Sequence, residues 1–385
     1  MTRAIVQIGG PFAALLLLIA AFFAYEPLRK PFGGTPPPVE ELTVERTVLD
    51  ENGIALRVRA GGTEPVSIAQ VQVDGAYWRF TQDPPGALPR LSGAWVLIPY
   101  PWVEGETHKI VFVTRTGLTF EHEIEVAWPT PKVDAEALGR LTLAGLFLGV
   151  LPVALGMLFY PALKSGGAVT FQFAMALTVG LLAFLLVDTL SNALEIAGRA
   201  APGLKSALLV WIIAALSCLL LWGLTRWRGQ EFTPLGLAAS IAFAIGVHNL
   251  GEGLAGGSAF ATGAAALGGF LLLGFTLHNV TEGVGIIAPL LERRPQLSIL
   301  AGLVCLAGLP AVLGLWLGAF AYTNHWAALA LALGAGAILQ VIIEVGLLLR
   351  RQIGQQSQTR AYPVVFGGLI LGVAIMYLTG LLVEI

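Results

Sequence analysis

Nine runs of roughly twenty mostly apolar residues set the terms for this chain, because a run of that length is what a helix needs to cross a lipid bilayer. They cover about 4–25, 137–160, 168–193, 206–225, 235–258, 262–290, 297–321, 326–349 and 362–383. Clusters of Gly, Pro, Lys and Arg separate them. Only 12% of the 385 residues are charged, about half the share of a soluble domain. Most of the chain is therefore expected to face lipid. A net charge of −2 gives no reason to expect a nucleic-acid partner. Cys218 and Cys305 both lie in apolar runs and read as packing residues.

The stretch 26–133 has a different character. It opens on the proline-rich "EPLRKPFGGTPPPVEE" and continues with short runs rich in Val, Ile, Thr and aromatics, such as "LTVERTVL", "IALRVRA" and "HKIVFVTRT". "DENG" and "VDGA" carry hairpin chemistry. About seven short strands predict a small all-β sandwich. The expected division is 1–25, a membrane anchor or signal; 26–40, a linker; 41–133, the β-domain; and 134–385, the helical membrane domain.

Lys and Arg predict orientation. With the β-domain outside, the short inner segments carry Arg3, Lys164, Arg226, Arg228, Arg293, Arg294, Arg350, Arg351 and Arg360. The short outer loops carry Arg199 and Lys205, and Arg29, Lys30, Lys132 and Arg140 flank the β-domain. Nine against six favours a multi-pass protein of the plasma (inner) membrane with 26–133 outside the cytoplasm.

Within the apolar runs, ionisable side chains are costly and usually face one another or a cavity. Two stretches repeat such residues: "HNLGEG" at 248–253 and "HNVTEG" at 278–283. His248 and Glu252 are four apart, as are His278 and Glu282, so each pair shares one helical face. Asn249 and Asn279 can join those faces. The copies sit about 15 residues either side of a small-residue loop, or ~22 Å along each helix. They are therefore expected at matched depth, facing each other. Neutral imidazole with carboxylate suits Zn, Fe, Mn, Co or Ni over Mg or Ca. Asp188, Asn192, Gln340 and Glu344 are further polar candidates in the apolar runs, with Glu344 expected to seek the acid–imidazole cluster. Gly253 and Gly283 read equally as helix-packing or site residues. Ser191 is a shallower candidate, and Glu195 reads as solvated. His108 and His122 read as sheet residues and His325 as a loop residue.

With these residues in view, 134–385 resembles the ZIP (Zrt-, Irt-like) divalent-metal transporters. That family has eight transmembrane helices, and its fourth and fifth carry His-Asn-x-Pro-Glu-Gly-like motifs forming a binuclear metal centre. The matching residues are His248, Asn249, Glu252 and Gly253, and His278, Asn279, Glu282 and Gly283. The resemblance places Asp188 in the second helix and Glu344 in the seventh. It implies a polytopic all-α bundle of eight helices, here with one extra N-terminal helix and a β-sandwich. It implies no enzyme but transport of Zn2+, Fe2+, Mn2+ or Cd2+ towards the cytoplasm, with two metal positions. His248, Asn249, Glu252, His278, Asn279, Glu282 and Glu344 would be ligands; Asp188, Asn192 and Gln340 would line the path. Partners would be the metal ions and membrane lipid, with homodimerisation and a β-domain partner left open. This chain departs from the family at Gly251 and Thr281, where the motif has proline, and in its added segment 1–133. Two other readings of the same residues are an intramembrane metal-dependent hydrolase and a metal sensor without transport.

Overall fold

The computed structural model describes residues 17, 39–130, 132–227, 233–261, 276, 279–321, 323–354 and 358–381. The expected span at 4–25, most of that at 262–290, and His278 lie outside the described residues.

Eight strands build two four-stranded antiparallel sheets: β1 (Leu42–Asp50), β2 (Gly53–Ala60), β3 (Ile68–Val73), β4 (Ala76–Trp78), β5 (Thr81–Asp83), β6 (Gly93–Ile98), β7 (His108–Thr114) and β8 (Thr119–Ile124). Their orders are β1-β2-β6-β5 and β4-β3-β7-β8. Alternating side chains, including Leu49, Leu56, Val58, Val71, Val96, Ile110 and Phe112, fill one buried core. The "VDGA" turn joins β3 to β4 with positive φ at Asp74 and Gly75, as a primed two-residue hairpin requires. "AYWRFT", which reads as one strand in sequence, is two. Ala76–Trp78 pairs with β3, whereas Thr81–Asp83 pairs with β6 in the other sheet. His122 points inward to Thr47 Oγ1 at 3.0 Å.

The rest is helical: α1 (Ala135–Gly145), a π-helical turn (Leu146–Val150), α2 (Leu151–Met157), α3 (Tyr160–Lys164), α4 (Gly167–Gly198), α5 (Ser206–Trp227), α6 (Pro234–Ala261), α7 (279–287), α8 (Leu297–Ala321), α9 (Asn324–Gly354) and α10 (Gln358–Leu381). Among the described residues, seven helical stretches are long and apolar enough to cross a membrane, the first being Ala135–Lys164. The described residues are thus mostly helical, with seven such helices and two small sheets. The two expected spans missing from that count fall largely outside the described residues.

The helices group by what they touch. α8 packs along α6 and against α1 and the π-turn, while α4 packs on α9 and α10, and α9 on α5. α6 and α9 join the groups. In the first group the contacts are backbone on backbone. A Cβ at Gly253 would overlap the Ala311 carbonyl, and one at Gly314 the Leu250 carbonyl. Gly283 and Gly156 bring α7 against α2 in the same way. This is the small-residue packing by which membrane helices approach closely, and it accounts for the motif glycines, Gly253 and Gly283.

Two outcomes test these features. Gly253→Val should destabilise by about 1–3 kcal/mol through overpacking, lowering the melting temperature in detergent, while Gly302→Val, where a Cβ meets open space, should not. Burial pushes the His122 imidazole down to about 4, against about 6.5 in an unfolded chain. The neutral ring therefore contributes on the order of 3 kcal/mol above that unfolded value. That contribution should fade as pH falls from about 6.5 to about 4, and His122→Phe should flatten the stability profile over that range.

Candidate functional site

α6 places His248 and Glu252 one turn apart, with Nε2 3.1 Å from Oε1. Both are buried, 2% and 4% exposed. The other ring nitrogen, Nδ1, lies 2.9 Å from Thr189 Oγ1 on α4. With Glu252 ionised, the ring donates from Nε2 and accepts the Thr189 hydroxyl at Nδ1, which fixes one neutral tautomer. Thr189 is wholly buried. Sequence reading missed it, although it directly follows Asp188 in "VDTLSN".

The second motif meets the first through Asn279. Its Nδ2 donates to Glu252 Oε2 at 3.3 Å and to the Leu148 carbonyl at 2.9 Å. Leu148 offers that carbonyl for a local reason. Residue 152 is proline and has no N–H to return to the carbonyl four residues back. The chain passes the spot in a π-turn, which opens the ladder further. Asn249 behaves alike, donating Nδ2 to Ala307 O on α8 at 3.0 Å, next to the Leu306 carbonyl that Pro310 leaves without its helical donor.

These bonds orient both amides. A backbone carbonyl only accepts, so each asparagine must turn its nitrogen to it and its oxygen away. Asn249 Oδ1 and Asn279 Oδ1 are buried with no hydrogen-bond partner among the described residues. Such oxygens each cost about 1–3 kcal/mol unless something binds them. Among the described residues these two amide oxygens have no donor, and a cation is one group that could meet them. The His248–Glu252 spacing also suits one. Ligand atoms about 2.1 Å from a tetrahedral metal stand roughly 3.4 Å from each other, close to what the pair shows.

Glu282, 3% exposed, lines a cavity of about 10 Å³ with Thr178, Leu181, Ile245 and Met376, at the lower limit for one water. Asn192 Nδ2 donates to Asp188 Oδ2 at 3.1 Å; both are half-buried on α4, and Asp188 adjoins Thr189. Glu344 does not stand at the level of the His248–Glu252 pair. Gly334 is the α9 residue against His248 N, and Glu344 follows ten residues later, ~15 Å along the helix. Gln340 is likewise displaced, lining a cleft with Leu221, Ser240 and Phe243. Among the described residues, no three His, Cys, Asp or Glu side chains converge as a metal group. Glu195 ion-pairs with Arg199 at 2.6 Å on the surface. His108, buried in the β-domain, sits 2.8 Å from Asp74. Burial opposes the Asp74 carboxylate, yet hydrogen bonds from the Lys109 N–H, His108 and Tyr100 outweigh it and hold its pKa below the usual carboxylate range.

No protein-family model matches this sequence, and no curated protein matches it.

Thr189→Val keeps the side-chain volume and removes the bond to His248. If His248 binds metal, the variant should lose about 10–100-fold in affinity, read by Co2+ titration, while its stability without metal falls by no more than the about 1–3 kcal/mol of one broken buried hydrogen bond.

Proposed function

We propose that this chain is a divalent transition-metal transporter of ZIP type, carrying Zn2+, Fe2+, Mn2+ or Cd2+ across the plasma (inner) membrane towards the cytoplasm. The observation that carries the reading is the hydrogen-bonded row Thr189–His248–Glu252–Asn279, buried among apolar helices and flanked by two amide oxygens without donors among the described residues. A chain that needed only packing gains nothing from that arrangement; a cation gains a ready set of N and O ligands. In this reading 4–25 and 262–290 supply the two further spans, giving an eight-helix bundle plus an N-terminal helix, with 26–133 outside.

His248 and Glu252 bind the ion, and Asn249 and Asn279 present their oxygens to it. Thr189 orients the imidazole, and Asp188 with Asn192 passes the ion towards it. His278 and Glu282 of the second motif make the second metal position, and Glu344 and Gln340 lie on the way out, deeper along α9. Binding must be loose enough for release, so water completes the coordination. The group built on α6 and α8 and the group built on α4, α9 and α10 are natural units for alternating access by rocking or sliding.

The test is metal uptake into proteoliposomes, comparing Zn2+, Fe2+, Mn2+ and Cd2+ for the wild type and for Glu252→Ala combined with Glu282→Ala. Uptake that disappears in the double variant supports the reading. Stoichiometric binding without uptake would replace it with a sensor or an intramembrane hydrolase, and uptake unchanged by the double variant would move the metal elsewhere.

A further inference from the structure

The β-domain does not hang free of the helices. Among the described residues it touches both helix groups. The Arg46 guanidinium on β1 donates to the Phe320 carbonyl. Phe320 lies in the last turn of α8, where carbonyls lack helical donors and the helix dipole is negative. A half-buried cation from another domain thus caps α8. β1 also touches α6, the helix packed along α8. On the other side, the β-domain meets the turn between α4 and α5. Pro202 Cδ lies where a Cβ on Gly61 would meet it, and Gly203 abuts Leu91 and the Gly61 carbonyl. Leu91 is itself held from within the β-domain, its carbonyl accepting from Arg59 at 2.5 Å while Arg59 pairs with the buried Glu45.

So one rigid sandwich is fastened to the α6–α8 group by Arg46 and to the α4–α5 turn by Gly61 and Leu91. The intervening helices supply Thr189, His248 and Glu252. We propose that the β-domain is a clamp across the two helix groups: while Arg46 caps α8, the groups cannot shift relative to each other, and metal movement requires that cap to open. This rests on the transporter reading above, and it makes the β-domain a brake on transport rather than a metal-binding part.

The geometry separates the clamp from mere attachment. Arg46 points out of the sandwich to α8, so its loss leaves the β-core intact. Arg46→Lys keeps the charge at the helix end on a single, shorter-reaching ammonium in place of the guanidinium fork, so it should rescue in part. Leu91→Ala loosens the opposite fastening without touching Arg46.

The experiment is hydrogen–deuterium exchange on the full-length protein in nanodiscs, paired with proteoliposome uptake of Zn2+, for wild type, Arg46→Met, Arg46→Lys and Leu91→Ala. In Arg46→Met, exchange at 316–321 should rise roughly tenfold, β-core strands should keep wild-type protection, and initial uptake should rise at least threefold. Arg46→Lys should fall between, and Leu91→Ala should raise uptake too. Unchanged exchange at 316–321 overturns the clamp, because the cap then holds nothing. Faster exchange with unchanged uptake, in a protein that does transport, also overturns it. If wild type and all variants take up no metal while exchange still responds to Arg46, the docking stands and the transporter reading is what fails.

Discussion

Everything in the helical half depends on how closely α6 and α8 approach. Glycines at 253 and 314 remove the side chains that would hold the two backbones apart. In lipid, water does not drive apolar helices together, so such packing and interhelical hydrogen bonds must do it. The close approach brings the Ala307 carbonyl within 3.0 Å of Asn249. The matching contact of Gly283 with Gly156 brings Asn279 to Leu148. Packing and polar placement are thus one event: separate the helices by a methyl group and the amides lose the carbonyls that aim them.

Proline completes the design from the other side. In each case an asparagine binds a carbonyl at or beside the one that a proline four residues on leaves without a donor. Prolines 152 and 310 are on helices that carry neither motif. The motifs themselves have Gly251 and Thr281, not proline, two residues after their asparagines. Local opening of the backbone ladder is therefore supplied by neighbours, in the first span and in α8, rather than by the motif helices.

Much of this was legible in the sequence because it rests on local rules. Run length marked the helices, alternation marked the strands, and the four-residue spacing put His248 beside Glu252. What the sequence concealed depends on the partners that folding supplies. Thr189 is an ordinary residue until α4 crosses α6. "AYWRFT" has uniform strand character, and only pairing with β3 on one side and β6 on the other splits it. Glu344 looks bound for the imidazole cluster because an acid in an apolar helix needs company. The crossing of α6 and α9 at Gly334 sets it lower. Gly253 and Gly283 sit within motifs that suggest chemistry, yet their neighbours are backbone atoms.

The position of β1 at the edge of its sheet has a consequence for how the protein is made. β1 pairs with β2 on one side only, and an open strand edge invites pairing with another chain. The residue that meets its Arg46 comes 274 positions later. At 5–20 residues per second of synthesis, Arg46 waits roughly 14–55 s for its partner on α8. The strand is equipped for the wait. A register shift between Val44 and Arg46 interrupts it, and Glu45 and Arg46 put charges at the break. Those features blunt a nascent edge against its neighbours on the same message, so the arginine that caps α8 in the finished protein first guards the solubility of an unfinished one.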